Sequence, residues 1–388
     1  MLTYNLEIIT IPIWILIGIF CLNFIIQLFY YFYFYLSVLV LKRKVRKGKK
    51  SFSRKHPGIS VIICARNESE NLAAFLPSVL TQKYPDYEVI VVNDGSSDQS
   101  EDLLAQLEKK YPHLYRTYVP QDAKVMSAKK LALTVGIKAA KKEYLLFTDA
   151  DCHPVSENWI ANMARNFTKN TDFVLGYGAY EQKKGLLSHL ISYDTFFIAL
   201  QYLGFAYRGK PYMGVGRNMA YRKQIFFDMK GFASILHLQS GDDDLFVNKA
   251  ANKRNTAIEI SPESVTVSSA KENFKDWYIQ KERHLSTSSH YKHQSKRLIG
   301  VEVLSRALFY ASFLGVLLVS DLTISLTAIG VFLIRFISQL FIINLSAKHL
   351  NERRFVLCIL LFDILLPIIT LLIMLFNKLT RKSKYKWK

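Results

Sequence analysis

Residues 8–41 form one apolar run whose only strongly polar members are Asn23 and Gln27. A chain that carries such a run is not expected to close up as an ordinary soluble globule. A bilayer core takes about 20 helical residues to cross, so the run is long enough. Three more apolar stretches follow near 301–320, 322–346 and 355–376. The first run lacks a basic leading segment and is too long for a secretory leader's apolar core, so it reads as a retained anchor.

The formal net charge of +20 raises the question of nucleic acid, and its location answers it. "KRKVRKGKKSFSRK" (42–55) holds nine basic residues and no acid, and "KLTRKSKYKWK" (378–388) holds six more. Both flanks abut apolar runs, which is the positive-inside pattern with contact to anionic lipid, and no nucleic-acid partner is expected. The nearly balanced middle is then expected in the cytosol, on a multi-pass protein of the cell (inner) membrane. Cys21, Cys64, Cys152 and Cys358 show no paired or metal-like spacing, as expected of reduced thiols.

These observations divide the chain into an anchor (1–41), a basic linker (42–57), a cytosolic domain (58–297), a membrane region of about three segments (298–377) and a basic tail (378–388). The crossings do not balance, however. With 42–55 inside, three further crossings put the basic tail outside. Asp363 and Pro367 mark 355–376 as the segment expected to be re-entrant or interfacial. Arg335 and Asp363 both fall at apparent membrane depth, where they either pair or reach water separately.

From residue 58 the pattern changes. "ISVIICA" (59–65), "YEVIVVND" (87–94) and "EYLLFTDAD" (143–151) are near-continuous apolar runs, as expected of strands buried on both faces, and "LYRTYVP" (114–120) is a weaker fourth. Helical spacing over 69–82, 99–110 and 127–142 separates them, so the fold class is α/β. Ligands of such sheets sit beyond the carboxyl ends of the strands. "ARNESE", "NDGSSD" and "DADCHP" follow three of those ends, so three polar clusters are expected along one edge. No glycine fingerprint follows the first strand and no glycine–lysine phosphate loop occurs, which disfavours a dinucleotide dehydrogenase or a P-loop enzyme.

Asp149 and Asp151 end an apolar strand two residues apart. Either they cap a helix starting near 157, a task Ser156 could serve, or they hold a hard cation. In "VVNDGSSD", Asp94 closes a strand, Gly95 permits a tight turn and Ser97 or Asp98 could cap the next helix; a carboxylate there could also accept from a base or ribose. The aromatic stretch 194–209 is expected to pack as an amphipathic helix, and "HYKHQSKR" (290–297) as a basic interfacial flank.

"VIICARNESENL", "VIVVNDGSSDQS" and "LLFTDADCHP", in this order, resemble the family 2 glycosyltransferases of GT-A fold. Downstream, "MGVGRNMAYRK" (213–223) resembles the family's glycine–asparagine acceptor-side segment, and "SGDDDLF" (240–246) its acidic catalytic motif. "QKERH" (280–284) resembles the glutamine–x–x–arginine–tryptophan motif of the membrane-bound cellulose-, chitin- and hyaluronan-synthase-like members, with His284 in place of tryptophan. The resemblance covers roughly 58–290. It implies a Rossmann-like mixed sheet with flanking helices, beside the transmembrane helices.

Carried over by position, the resemblance implies that Ala65, Arg66, Asn67, Glu68 and Asp94 hold the donor nucleoside. Lys129 would serve the donor site, with Lys130 its competitor. Asp149 would contact ribose or metal, and Asp151 would bind the Mg²⁺ or Mn²⁺ on the diphosphate. Gln280 and Arg283 would reach the diphosphate, Gly216, Asn218 and His284 would lie on the acceptor side, and Asp243 would be the general base, with Asp242 the alternative register. Transfer from a nucleotide sugar needs charge neutralisation on the leaving diphosphate and deprotonation of an acceptor hydroxyl, and these residue types supply both. The acidic run 242–244 also reads as an ordinary helix N-terminus.

The expected protein is therefore a membrane-anchored, inverting, metal-dependent glycosyltransferase using a nucleotide sugar, UDP-linked by preference. Its acceptor would be a glycan or lipid-linked hydroxyl, with single or short-chain addition preferred. The rivals are a processive polysaccharide synthase and a catalytically inactive nucleotide-binding scaffold.

Overall fold

A computed structural model describes residues 2–119, 127–356 and 358–380, with side chains described from 12 to 376. Pro120, the end of the fourth expected strand, and the basic tail from 381 lie outside the described residues.

Among the described residues ten strands are formed: β1 (Ile59–Ala65), β2 (Tyr87–Asp94), β3 (Leu114–Val119), β4 (Tyr144–Phe147), β5 (Cys152–Pro154), β6 (Phe173–Leu175), β7 (Gly178–Tyr180), β8 (Met219–Arg222), β9 (Thr256–Ile258) and β10 (Thr266–Ser268). Seven make the main sheet, in the order β3-β2-β1-β4-β8-β6-β9. β3, β2, β1 and β4 run parallel, in register Ile62 to Ile90 and Ile62 to Phe147. β8 runs antiparallel to both β4 and β6, so the sheet is mixed. A small second sheet, β5-β10-β7, lies beside the carboxyl edge.

The apolar runs form central strands because both faces are covered. Ile62, Ile90, Val92, Leu145 and Phe147 face a core shared with Ala132 and Ile137 of the Ala128–Ala139 helix. Val61, Ile63, Val89, Val91 and Leu146 face the opposite core with Leu72, Leu76, Val79, Leu104, Trp159 and Met163. The third expected strand is cut short: β4 ends at Phe147, and the amide of Cys152 closes a turn on the carbonyl of Asp149 (3.1 Å). Two carboxylates cannot continue a strand buried on both faces, so the chain turns out of the sheet where they begin.

Among the described residues, four helices are long and apolar enough to cross a membrane: Pro12–Arg46, His293–Val319, Leu322–His349 and Cys358–Phe376. The first has two different halves. Up to Phe29 it exposes Trp14, Ile15, Leu22 and Ile25, whereas Tyr30, Tyr31, Phe34, Tyr35, Val38 and Leu41 are buried against the Leu186–Tyr207 helix. The halves meet in a π-helical turn, Tyr30–Tyr35. Such a turn leaves a backbone carbonyl short of its usual donor. Here the Ser37 hydroxyl (3.0 Å) and the Arg208 guanidinium (2.7 Å) both donate to the carbonyl of Tyr33. Gly204 permits the close approach, since a Cβ there would sit 2.4 Å from the Phe34 carbonyl oxygen.

The 194–209 stretch is helical as expected but not amphipathic. From Leu190 to Ala206 it is buried on nearly every side, between the sheet and the apolar helices. The 355–376 segment is an unbroken helix, Cys358–Thr380, that carries Pro367 inside it and packs on the Leu186–Tyr207 and Phe274–Ser288 helices. Near its start Asp363 accepts from Arg335 (2.8 Å), as one of the two sequence readings had it, and also from Arg306 (3.1 Å).

Candidate active site

The three polar clusters converge as the strand order requires, since β2, β1 and β4 are adjacent and parallel. Asp94 ends β2 buried, and its Oδ2 has no hydrogen-bond partner, with the Arg66 guanidinium 3.7 Å away. Burial raises its pKa, and Arg66 offsets part of that rise. Asp98 does the capping: it accepts from the amide of Ser100 (3.0 Å) and from that of Ser69 (2.9 Å), at the starts of two helices. Those hydrogen bonds outweigh its slight burial and bring its pKa down to about 2.

Two of the residues expected at the nucleoside are committed elsewhere. Asn67, in the left-handed region at φ 55°, donates its amide to the Ser96 hydroxyl and accepts the Ser97 amide on Oδ1 (2.8 Å). Its side-chain carbonyl therefore ties two loops together. Glu68 accepts from Asn71, and burial raises its pKa. Ala65 is fully buried at the end of β1, so only its backbone can face the cleft.

Beyond β4, Asp149 pairs with Lys129 (2.9 Å), which also lies 3.9 Å from Asp242. Burial alone would raise Asp149, but Lys129 outweighs it, helped by Arg217 and Arg283, and the carboxyl stays below its usual range. Burial likewise opposes the charge on Lys129, and Asp149 and Asp242 override it. Lys130 points away and donates to the carbonyls of Leu238 and Ser240, so the competing lysine does not reach the cleft. Asp151 accepts from the Ser268 hydroxyl (3.1 Å) and the Cys152 thiol (3.4 Å).

Ligand atoms of Asp149, Asp151 and Cys152 all lie within 4.8 Å of one another. Burial pushes the Cys152 thiol up, and the thiol donates to Asp151. The usable donors are then two carboxylates, a set that fits Mg²⁺ or Mn²⁺ and not a thiolate metal. They do not cap the helix at Trp159–Ala164, because β5 intervenes; nor does Ser156, whose hydroxyl accepts from the Asn158 amide (3.1 Å).

The three acids of 242–244 separate clearly. Asp242 is buried and lines a small recess with Lys129, Asp149 and Gly216; burial raises its pKa, with Asp243 adding to the rise and Lys129 opposing it. Asp243 is half-buried at the start of the Asp244–Ala250 helix, accepting from the amides of Asp244 (2.7 Å) and Gly216 (2.8 Å). Asp244 faces the other way, accepting from the hydroxyls of Thr287 and Tyr291 (2.7 Å), and burial pushes it up to about 7.

The Phe274–Ser288 helix, capped by Asn273 on the amide of Asp276 (2.9 Å), closes the cleft. Gln280 donates to the Tyr180 hydroxyl (2.9 Å). Arg283 has a buried Nε without a partner. His284 is open to the cleft, yet desolvation and the nearby Arg283, Arg217, Lys129 and Lys281 bring it to about 3, so its imidazole is neutral. Asn218 departs from expectation. It is fully buried, accepts from Trp159 Nε1 (3.0 Å) and donates to the carbonyls of Tyr177 (2.7 Å) and Ser264 (2.8 Å). With every polar atom used inside the fold, it cannot touch an acceptor; it anchors the segment that carries Gly216. The residue beside it, Arg217, was not singled out from sequence, yet it stacks on Tyr180 in the cleft wall (4.3 Å).

A mixed sheet with carboxylates at its edge and a small second sheet beside them is the GT-A fold. The fold is shared with the mannosyltransferase PcManGT from Pyrobaculum calidifontis, solved in complex with GDP-Man and Mn2+, at a TM-score of 0.54 and 18% identity over 87% of this chain and 98% of that one. Residues 60–228 match the Glycosyl transferase family 2 model. The chain is similar to poly-beta-1,6-N-acetyl-D-glucosamine synthase of Staphylococcus epidermidis, 35% identical over 31% of this chain and 28% of that protein. It is also similar to the protein of that name in Staphylococcus aureus (strain COL), 34% identical over 24% and 22%. The matched stretch thus spans less than a third of either relative's length.

Proposed function

We propose that the chain is a membrane-anchored, inverting glycosyltransferase that moves a sugar from a nucleoside-diphosphate donor, UDP-linked by preference, to a hydroxyl of a cell-surface or lipid-linked glycan. One observation carries this reading. One edge of the sheet gathers a buried carboxylate with an oxygen that accepts no hydrogen bond (Asp94), two carboxylates close enough to share a cation (Asp149, Asp151), a half-buried carboxylate (Asp243) and an arginine whose buried Nε has no hydrogen-bond partner (Arg283).

Asp94 and the Arg66 loop hold the nucleoside. Asp151, with Asp149, would hold Mg²⁺ or Mn²⁺, which supplies charge neutralisation on the diphosphate. Lys129 and Arg283 add fixed positive charge where the leaving group's charge develops. Asp243 takes the acceptor's hydroxyl proton on a carboxylate oxygen beside Gly216. The acceptor oxygen then bonds to the anomeric carbon as the bond to the diphosphate breaks, and that bond's electron pair leaves with the diphosphate. One base and one displacement invert the anomeric centre, giving a β-linkage from an α-linked donor. His284 offers a neutral ring toward the acceptor, smaller than the tryptophan it replaces.

The domain faces the cytosol, with the basic 42–55 segment beside it. The Cys358–Thr380 helix lies along the membrane surface, a placement supported by its packing on helices of the catalytic domain. Three crossings then remain, and both basic flanks share one side, as the positive-inside rule requires.

Incubation of the full-length protein with UDP-sugars, Mg²⁺ or Mn²⁺ and a hydroxyl acceptor tests the reading. Asp243→Asn should keep donor binding and lose about 10²- to 10⁴-fold in transfer. If Asp242→Asn shows that loss instead, the base has been assigned one residue too far along. A processive synthase is the second reading, favoured by the polymer in the relatives' name. Ladders whose length depends on the acceptor would establish it, and a single product size would exclude it.

A further inference from the structure

The arginines packed on the sheet outside the cleft have carboxylate partners. Arg116 takes Glu101 and Glu108, Arg165 takes Glu259, and Arg222 takes Asp172 and Glu143. Arg217 and Arg283 take none among the described residues, and the Nε of each is buried without a partner. A guanidinium withdrawn from water without a counter-charge is costly, so a recessed unpaired one marks a place where an anion is expected.

Arg217 is also built to stay where it is. Its guanidinium lies 4.3 Å over the Tyr180 ring, and the Tyr180 hydroxyl is fixed by Gln280. Stacking on an aromatic face leaves the edge of the fork free for a bidentate contact. Gly178 makes room beneath, since a Cβ there would lie 2.5 Å from Arg217 Nε. The backbone is pinned on both sides: Asn218 is locked by three hydrogen bonds, and the Arg217 carbonyl accepts from the Thr266 hydroxyl (3.0 Å). Tyr180 sits in register with Ser268, whose hydroxyl donates to Asp151 (3.1 Å), and its own hydroxyl accepts from Gln280, three residues before Arg283 on the same helix. Arg217 is therefore placed between the two-carboxylate cation site and the helix that carries Arg283.

We propose that Arg217 is a second guanidinium contact to the donor's diphosphate, closing with Arg283 on the oxygens that a cation at Asp149 and Asp151 leaves uncovered. The assignment rests on the nucleotide-sugar reading above. It makes Gln280 a positioning residue, which acts on the diphosphate by fixing Tyr180 and, through that ring, the plane of Arg217.

The test compares UDP with uridine, and GDP with guanosine, by binding to the full-length protein in detergent with Mn²⁺ present. Wild type should prefer the diphosphate strongly over its nucleoside. Arg217→Gln should cut diphosphate affinity by about 10- to 100-fold, the size of a lost charged hydrogen bond, and leave nucleoside affinity unchanged. Arg217→Lys, which keeps charge but not the fork, should recover part of the loss. An undiminished preference in Arg217→Gln, or equal weakening of diphosphate and nucleoside, overturns the contact and leaves Arg217 a structural residue. No nucleotide binding by wild type overturns the proposed function together with this inference.

Discussion

The cleft and the charge network among the apolar helices are built from the same chemistry, carboxylates beside guanidinium groups, yet they are solved in opposite ways. Among the apolar helices two acids meet two bases. Asp363 accepts from Arg335 and Arg306, and Arg306 also pairs with Glu302 (2.9 Å). Gln27 accepts from Arg335 (2.9 Å) and the Tyr310 hydroxyl donates to Asp363 (2.7 Å), so the N-terminal helix and three later helices share one charge-balanced knot. None of the four charged side chains is more than 6% exposed. In the cleft the cancellation is incomplete: Lys129 pairs with Asp149 and Arg66 stands 3.7 Å from Asp94, but Arg217 and Arg283 lack carboxylates among the described residues, Asp94 Oδ2 accepts no hydrogen bond, and Asp243 stays half-buried. Paired charges withdrawn from water hold helices together, whereas unpaired ones at a cleft wall are positioned for something that arrives.

The largest effect should come from breaking the knot. Asp363→Ala strands the buried Arg335, leaves Arg306 with Glu302 alone, and should cost about 3–5 kcal/mol, read as a lowered melting temperature in detergent. Replacing Asp363 and Arg335 together by leucine removes a pair and leaves Arg306 with Glu302. That variant should melt close to wild type, since apolar replacement of a whole buried pair is often near neutral. If the single and the double replacement melt alike, the knot is not held by its charges.

A smaller effect should come from Asp244, whose buried carboxyl joins the acidic turn to the Phe274–Ser288 helix. Its pKa rises from the ordinary 3.8 to about 7 on folding. The folded protein therefore holds that proton more tightly than the unfolded chain does. The contribution to stability is full below about pH 4 and is lost as the pH rises toward 7. Asp244→Asn should flatten the slope of melting temperature against pH across that window, and an unchanged slope would assign the titration elsewhere.

Much of this was legible in the sequence, for physical reasons. Continuous apolar runs that end in acids mark strands buried on both faces, and parallel order brings their ends together, so Asp94, Asp149 and Asp151 could be placed in one cleft beforehand. Other features turn on directions that one-dimensional spacing does not carry. Lys129 and Lys130 are neighbours about 100° apart on a helix, and only packing decides that Lys129 faces the acids. Asn218 and Arg217 are adjacent, but one side chain turns into the core and the other into the cleft. The signal for Arg217 was present as a basic residue inside the glycine–asparagine segment. The division within the first apolar helix was not legible for another reason: lipid and a protein core are both apolar, so Tyr30–Leu41 reads like the rest of the run although it packs on the Leu186–Tyr207 helix.

The central claim is that the cleft's uncancelled charges serve a nucleoside-diphosphate sugar held through a cation at Asp151. The most direct measurement is turnover of UDP-sugars by the full-length protein with Mn²⁺, for wild type and Asp151→Asn side by side with their melting curves. Turnover should appear in wild type and vanish in Asp151→Asn while the melting temperature stays within a few degrees. Equal turnover in the two proteins would contradict the account.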